Sequence, residues 1–576
     1  AATRAVVSDD EGRYRISQLA PGTYEIRGEL TGFQTAVLQD ISLSMAQEAV
    51  ISVTLRVGEI TEQVVVSAEV SLVDTRSATV ASLVEARQVR DLPLNGRDYI
   101  QLASLQEGVV TPLAARRTVN GDRGIKLSIA GARPMDNAIL LDGTDIKNQY
   151  GTTPGSVTGV LLGVDTIQEF RVITSAYSAE YGRFTGGVVS AITRSGSNEL
   201  HGSLFEFHRN SAFDARNFFD RDFTNPTVRS DPPPFTRHQF GFTLGGPIVP
   251  DKTFYFTSYE GFIERLTTTG ISNFPNAEAH EGRIPNYRFR GRFICGPPRG
   301  VRGQPSPAIC DVGVNPKMQP YIDLMPIPNG PDNGDGTGKV YFNNPQPTNE
   351  HYMVTKFDQQ FGANDHFFVR YTIDDGTLNF IQEGTTVKFN EANRNQYITV
   401  EEKHIFSPQL LNETRLAFNR NGSSTVEEDI AGIPESMYFV NAERQKSTGF
   451  LPGMGLLFCR GCGINQFGTS TRTPQKHIHN VYQFIDNINW THGNHSIKAG
   501  ISWSRFQYNF ANIARLQGSY QYNDLNALLK ADFIAAGAFW GTLDGQIQPL
   551  GFRQNLIGIY LQDDYKLFPN VTLNLG

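Results

Sequence analysis

A handover between two kinds of residue pattern constrains this chain more than any other feature. It lies between Gln168 and Gly202, QEFRVITSAYSAEYGRFTGGVVSAITRSGSNELHG. A Gly-rich turn, Tyr181-Gly182-Arg183 and then Gly186-Gly187, runs into a short apolar strand from Val188 to Ile192. After a polar break the chain changes to long stretches in which residue character alternates one by one. Ile497, Ala499, Ile501 and Trp503 alternate with Lys498, Gly500, Ser502 and Ser504; Leu416 and Phe418 alternate with Arg415, Ala417 and Asn419. Phe367, Val369 and Tyr371 alternate with Phe368, Arg370 and Thr372, and Ile557, Ile559 and Leu561 with Gly558, Tyr560 and Gln562. A two-residue period places two chemistries on the two faces of a strand. A compact domain thus hands over to a long antiparallel series, and the chain is mainly β.

Two architectures produce that period. In a membrane barrel the first set of each series faces lipid and the second faces the lumen; a soluble sandwich repeats the same alternation. Loop length separates them. Residues 265 to 350 and 421 to 476 lack strong periodicity and are far longer than loops inside compact domains, whereas outer-membrane barrels carry long extracellular loops. No apolar run reaches the roughly 18 residues of a transmembrane helix, which leaves a barrel open. Phe254, Tyr255, Phe256 and Tyr259 suit an interfacial aromatic girdle, and a plain β core uses such residues equally well. Phe 38, Tyr 21, Gly 55 and Pro 30 fit a chain of strands and turns. A net charge of -7 gives no basic field for nucleic acid.

Residues 1–58 read as a small sandwich: Arg13 to Ile16 and Thr23 to Arg27 alternate around the Pro21-Gly22 turn, and Ala49 to Leu55 forms a last strand. The string DEGRYRISQLAPGTYEIRGELTGFQT resembles the carboxypeptidase-regulatory-like (transthyretin-like) domain without its first strand, a structural module that carries no zinc ligands here. Residues 59–76 form a linker holding one apolar segment, Glu62-Gln63-Val64-Val65-Val66-Ser67-Ala68. Residues 77–197 read as a mixed α/β unit, with a helix over Leu83 to Val89, strand pieces at Lys126 to Ala130 and Ala138 to Leu141, a tight turn at Asp142-Gly143, and further pieces at Leu161 to Val164 and Glu169 to Ile173. From 198 to 576 the chain is strands and long loops.

LPLNGRDY, IAGARPMDNAILLDG and EYGRFTGGVVSAITRSGSNELHG together resemble the Oar-like branch of TonB-dependent outer-membrane receptors, as do HQFGFTLGGPIVPDKTFYFTSYEG and GIYLQDDYKLFPNVTLNLG farther on. The Arg-Gly-Pro that precedes the Tyr-Gly in the wider superfamily is replaced by Thr174-Ser175-Ala176, which suits the Oar-like branch and weakens the analogy with siderophore receptors. The resemblance implies a plug over 77–197 inside an antiparallel transmembrane β-barrel that begins at 198. Because known members continue with more strands, the barrel is expected to be incomplete and the chain to be a fragment. It also implies a TonB box, which Glu62 to Ala68 matches by position: a Val-rich segment in a polar linker can add to a partner sheet through its backbone. The alternative reading makes this segment the last strand of the first domain.

Four cysteines fall into local pairs, Cys295/Cys310 in ICGPPRG and its neighbourhood, and Cys459/Cys462 in FCRGCGI. In an oxidising compartment they are loop disulfide candidates, with the pairing left open by sequence; no His stands at zinc-ligand spacing beside either pair. His280-Glu281-Gly282-Arg283-Ile284 lacks the second His of a zincin helix, and Asp332-Asn333-Gly334-Asp335-Gly336 lacks the alternating oxygens and bidentate Glu of a calcium loop. His201 and His208 stand on opposite faces of one strand. No catalytic constellation, metal site or cofactor is expected. In the plug, Arg133, Asp142, Arg171, Glu180 and Arg183 are candidates for polar contacts with the barrel wall, and charges in a water-filled lumen can pair without full desolvation.

The resemblance implies an outer-membrane receptor that binds an extracellular ligand and imports it by plug movement. Its partners would be TonB with its inner-membrane energising complex and the surrounding outer-membrane lipid, with the N-terminal domain in the periplasm. The alternative is a surface adhesion or structural β protein without transport.

Overall fold

The computed structural model describes residues 21–44, 49–58, 63–67, 79–85, 97–111, 124–216, 231–286, 307–381, 386–446, 452–459, 461–469, 473–512, 517–536, 550–568 and 571–576. Short pieces at 5–8, 12, 14, 16, 19, 88–89, 288–289 and 292–294 are also described. Glu62, Ala68, Cys295 and most of LPLNGRDY lie outside these residues.

The first sheet has three strands, β1 (Gly22–Gly28), β2 (Thr35–Leu43) and β3 (Gln63–Ser67), in the order β1-β2-β3. Ala36, Leu38 and Ile41 are its buried residues, covered by Tyr24, Ile26, Ile51, Val53 and Leu55. Ala49 to Leu55, expected as a strand, contributes these side chains without entering the ladder, because the place beside β2 is taken by β3.

A second, mixed sheet follows: β4 (Val80–Val84), β5 (Ala138–Leu141), β6 (Thr144–Asp145), β7 (Ile167–Ser175) and β8 (Val188–Thr193), ordered β4-β7-β8-β5-β6. The helix expected over Leu83 to Val89 is confined to the end of that stretch: Gln88 and Val89 are helical, with the Val89 N–H donating to the Glu85 carbonyl at 3.0 Å. Leu83 and Val84 belong to β4, paired antiparallel to Arg171 and Phe170 of β7, so edge pairing overrides a weak local helical pattern. The core of this unit contains Leu102, Ile129, Ile139, Leu141, Phe170, Val172 and Val189, all buried.

The third sheet dominates the molecule. Its eleven strands run in sequence order, each antiparallel to the next. They are β9 (His201–Asn210), β10 (Phe235–Val249), β11 (Thr253–Pro275), β12 (Thr337–Gln360), β13 (Asp365–Ile381), β14 (Val387–Ser407), β15 (Leu410–Asp429), β16 (Gln475–His492), β17 (His495–Asn512), β18 (Leu550–Phe568) and β19 (Val571–Leu575). Strands β9 and β19 stand at the two ends of the sheet order and are not paired with each other. Connections at one end are all short (250–252, 361–364, 408–409, 493–494, 569–570); the opposite end carries 211–234, 276–336, 430–474 and 513–549 besides the short 382–386. That asymmetry is the one seen in outer-membrane barrels, with turns on the periplasmic side and loops outside.

Alternation assigns the faces as the sequence predicts. Phe368, Arg370, Thr372 and Asp374 are buried on the inner face, and Ile557, Ile559 and Leu561 are exposed on the outer one. The proposed girdle holds in part: Tyr255 and Tyr259 have the outward parity, Tyr255 directly opposite Phe357, whereas Phe256 is buried on the inner face and Phe254 shares its parity. Further outward aromatics near the short-turn end are Phe357, Phe406, Trp490 and Phe568, all exposed.

Strands run past the limits read from sequence, to Pro275 and from Thr337 on one side of a loop and to Asp429 on another, because neighbouring strands keep pairing there. Described residues of the long loops pack together. Phe274, Ile284, Met318, Ile322, Leu457, Phe467, Tyr522, Leu525 and Leu528 form one buried cluster, closed by the Cys459–Cys462 disulfide. Cys310, also disulfide-bonded, is buried in the same cluster.

Candidate functional site: the contact between inner domain and wall

The β5–β6 hairpin turns on Asp142 (φ 48) and Gly143 (φ 74), the left-handed pair that an Asp-Gly turn favours. The turn aims the Asp142 carboxylate at the wall. Arg370 Nη1 of β13 lies 2.5 Å from Asp142 Oδ2, and the two side chains are 0% and 4% exposed. Thr193 of β8 donates to the same carboxylate from its backbone N–H (2.9 Å) and its hydroxyl (2.8 Å). Arg370 Nη2 in turn donates to Thr399 Oγ1 of β14 at 2.7 Å, and that hydroxyl lies 3.2 Å from Thr144 Oγ1 of β6. Burial alone raises the Asp142 carboxyl; the Arg370 guanidinium, the Lys356 ammonium and the Thr193 donors outweigh it and hold the group below its ordinary value.

Gly143 has a second use. A Cβ there would stand 2.7 Å from the Arg415 guanidinium of β15, which lies against the bare turn. Arg415 is fixed by Glu401 (Nε–Oε2 2.5 Å) and Glu413 (Nη2–Oε1 2.5 Å), and Lys403 joins both acids at 3.0 and 3.3 Å. Beside this cluster the backbone of Asp145 is clamped by one amide: Gln483 Nε2 of β16 donates to its carbonyl at 2.9 Å, and its N–H donates to Gln483 Oε1 at 3.1 Å. Asn419 of β15 donates to the same carbonyl, and Asn421 donates to the Lys147 carbonyl at 3.3 Å.

Around the rest of the wall the pattern repeats. Gly163 (φ 91) donates its N–H to Glu260 Oε2 of β11 at 3.0 Å, and its missing Cβ leaves room for the Tyr352 ring of β12. Arg97 pairs with Asp165 and reaches Glu260 at 3.3 Å, its guanidinium 4.2 Å from the Phe205 ring of β9. Thr158 donates to Glu350 (2.8 Å), Ser195 to Asp358 (3.2 Å) and Ser178 to Gln562 of β18 (2.9 Å). Asn395 of β14 donates to the Gly155 carbonyl at 3.4 Å. The inner domain therefore touches the wall from β9 to β18. A flat sheet cannot reach one small domain with that many strands; the wall curves around it.

The five polar candidates in the inner domain separate. Asp142 is a wall contact. Arg183 pairs with Asp145 inside the domain and sets its guanidinium 5.6 Å from the Phe506 ring of β17. Glu180 acts electrostatically on Arg415 and, with burial, pushes the Tyr181 phenol up. Arg171 is half-buried in β7, and Arg133 is exposed on the turn before Pro134–Asp136. Desolvation is more complete than a watery lumen implies, since Arg370 and Asp142 are sealed from solvent. Arg97, Gly163, Arg370, Gln483 and Glu260 were not singled out from sequence. Only the inward parity of Arg370 hinted at its role.

Gln63–Ser67 of the TonB-box-like segment is paired parallel to Thr35–Gln39, the place given by the alternative reading. His280 ends a short helix, Ala277–His280. Asp332 and Asp335 spend their oxygens on turn contacts, with Gly334 N–H at 2.6 Å and Thr337 N–H at 3.0 Å. Among the described residues, one group has metal-ligand proximity, Asp365, Glu402 and His404 on the outer face near the short-turn end. There His404 Nδ1 is already 2.6 Å from Asp365 Oδ1.

Comparison with known proteins agrees with this geometry. Residues 1–56 match the carboxypeptidase regulatory-like domain. The TonB-dependent transporter Oar of Myxococcus xanthus is 28% identical over 286 residues, which is 47% of this chain and 25% of that protein. The outer membrane transporter YddB of Escherichia coli superposes with a TM-score of 0.51 at 12% identity, covering 86% of this chain and 55% of that one, a likeness of fold. The match thus covers a quarter of the length of the curated relative, and the superposition about half that of the solved transporter. Residues 192–576, two thirds of the chain, match the outer membrane beta barrel domain, and the chain belongs to that family of the bacterial outer membrane.

Proposed function

We propose that this chain is the plug-and-wall part of a TonB-dependent transporter: a ligand binds on the loop side, and TonB, energised from the inner membrane, pulls on the segment near Glu62 to Ala68 and displaces or remodels residues 77–197. One observation carries the reading. The inner domain meets the wall through many discrete polar contacts, Asp142–Arg370 foremost, beside an apolar contact in which Phe262, Tyr352, Val354 and Tyr397 of the wall join its core. Polar contacts are strong while sealed and are replaceable by water once the interface opens, which a moving plug needs. The kinship with a transporter named TonB-dependent supports the partner. In this reading the N-terminal sheet stands in the periplasm.

Deleting residues 62–68 tests it. Uptake should vanish while surface display and ligand binding persist. Uptake that survives the deletion overturns coupling through this segment and favours a surface protein without transport.

A further inference from the structure

The segment proposed to recruit TonB is not a bare linker. Gln63, Val64, Val65, Val66 and Ser67 pair with Thr35, Ala36, Val37, Leu38 and Gln39 in an unbroken parallel register. Strand β2 is held from its other side by β1, with partners from Gly22↔Leu43 to Gly28↔Ala36, and Ala36, Val37 and Leu38 are buried. It is a fixed strand. Strand β3 is the end of the order β1-β2-β3, so among the described residues one of its edges is filled and the other is open.

Exposed edges are usually blunted by Lys, Pro or a bulge, because a row of unpaired N–H and C=O groups recruits other strands. Nothing of the kind protects Gln-Val-Val-Val-Ser: it holds no charge and no proline, and its register with β2 has no bulge. An isolated segment must lose backbone freedom when a partner pairs with it, whereas one already laid against β2 has lost it beforehand.

We infer that the N-terminal sheet is a presenting platform: the free edge of Gln63–Ser67 accepts a strand of TonB as the fourth strand of a composite sheet, while its ladder with Thr35–Gln39 stays closed. This rests on the TonB reading above and adds the surface by which it is met. The N-terminal domain then takes part in coupling instead of serving as a spacer.

Hydrogen exchange on the full chain in lipid nanodiscs, with and without the purified periplasmic domain of TonB, tests the idea. Expected is slowed exchange at 63–67 on adding TonB, with protection at 35–39 unchanged. Slowed exchange at 63–67 with faster exchange at 35–39 means that the segment swaps partners, which overturns presentation but leaves TonB recruitment standing. No effect of TonB at 63–67 removes the reading beneath. Protection of 63–67 that grows with receptor concentration alone assigns the edge to a second copy and also overturns the proposal. A lock provides the second arm: Ala36→Cys/Val64→Cys joins two residues opposed in the ladder, within disulfide reach. Presentation predicts TonB affinity within about threefold of wild type when oxidised. A loss of about tenfold or more, recovered on reduction with wild type treated in parallel, contradicts it.

Discussion

The two faces of the wall differ as sharply as any two regions of this molecule. On the inner face of β12 to β15, Arg370, Asp374, Glu350 and Asn419 are fully buried. On the outer face of β18, Ile559 is 79% exposed, with Ile557 and Leu561 beside it. A water-soluble sheet has the opposite arrangement, apolar side buried and polar side out. Only a surrounding medium of hydrocarbon makes the outer face favourable, and only a partner rich in hydrogen-bonding groups makes the inner one so. The contrast therefore distinguishes the two architectures that share a two-residue period.

The largest expected effect is on the inner face. Arg370→Ala leaves Asp142 buried without its cation and should cost about 3–5 kcal/mol in retention of the inner domain, read as protease accessibility of residues 77–197 in urea. Removing both charges, Asp142→Asn with Arg370→Met, should return most of that loss. If the single variant is silent, the ion pair is not what holds the domain. Next comes the outer face. Ile559→Lys should destabilise the bilayer-folded protein by about 2–4 kcal/mol, and Ser502→Lys on the inner parity by about 1 kcal/mol or less, measured by urea titration in lipid vesicles. Equal losses at the two positions would erase the distinction between the faces.

A smaller effect is expected at Gly163→Ala, where a side chain meets the Tyr352 ring at a left-handed φ of 91. It should cost about 1–3 kcal/mol, seen as a lowered melting temperature of the inner domain. An unchanged melting temperature would show that the wall does not close on this turn. The smallest effect concerns pH. Because the folded-state Asp142 carboxyl lies below its unfolded value, its contribution is complete above the ordinary carboxylate range and fades as pH falls through the lower folded value. Wild type and Asp142→Asn should therefore keep a constant stability difference from about pH 8 to pH 5 and converge only below about pH 4. Convergence already near pH 6 would mean that Asp142 is not held ionised.

What sequence made legible follows from the same physics. Alternation at Ile497 to Trp503 and at Phe367 to Thr372 reports the faces directly, since each residue's parity is local information. The Asp142-Gly143 turn was also readable, because its backbone demands that pair. Partners were not. Arg370 lies 228 residues from Asp142, and Gln483 lies 338 from Asp145; which wall residue meets which turn depends on strand register and curvature, and neither leaves a local trace. The edge position of Gln63–Ser67 was hidden for a related reason: a Val-rich segment pairs equally well with its own domain or with another protein.

The central claim is that the inner domain sits within the curved wall, registered against it. A disulfide between Thr144→Cys and Thr399→Cys, whose hydroxyls lie 3.2 Å apart across that contact, tests it most directly in intact outer membranes. The account predicts that oxidation joins the pair nearly completely and that import stops while ligand binding remains. Two cysteines that stay free under conditions that oxidise an exposed control pair would place the domain elsewhere.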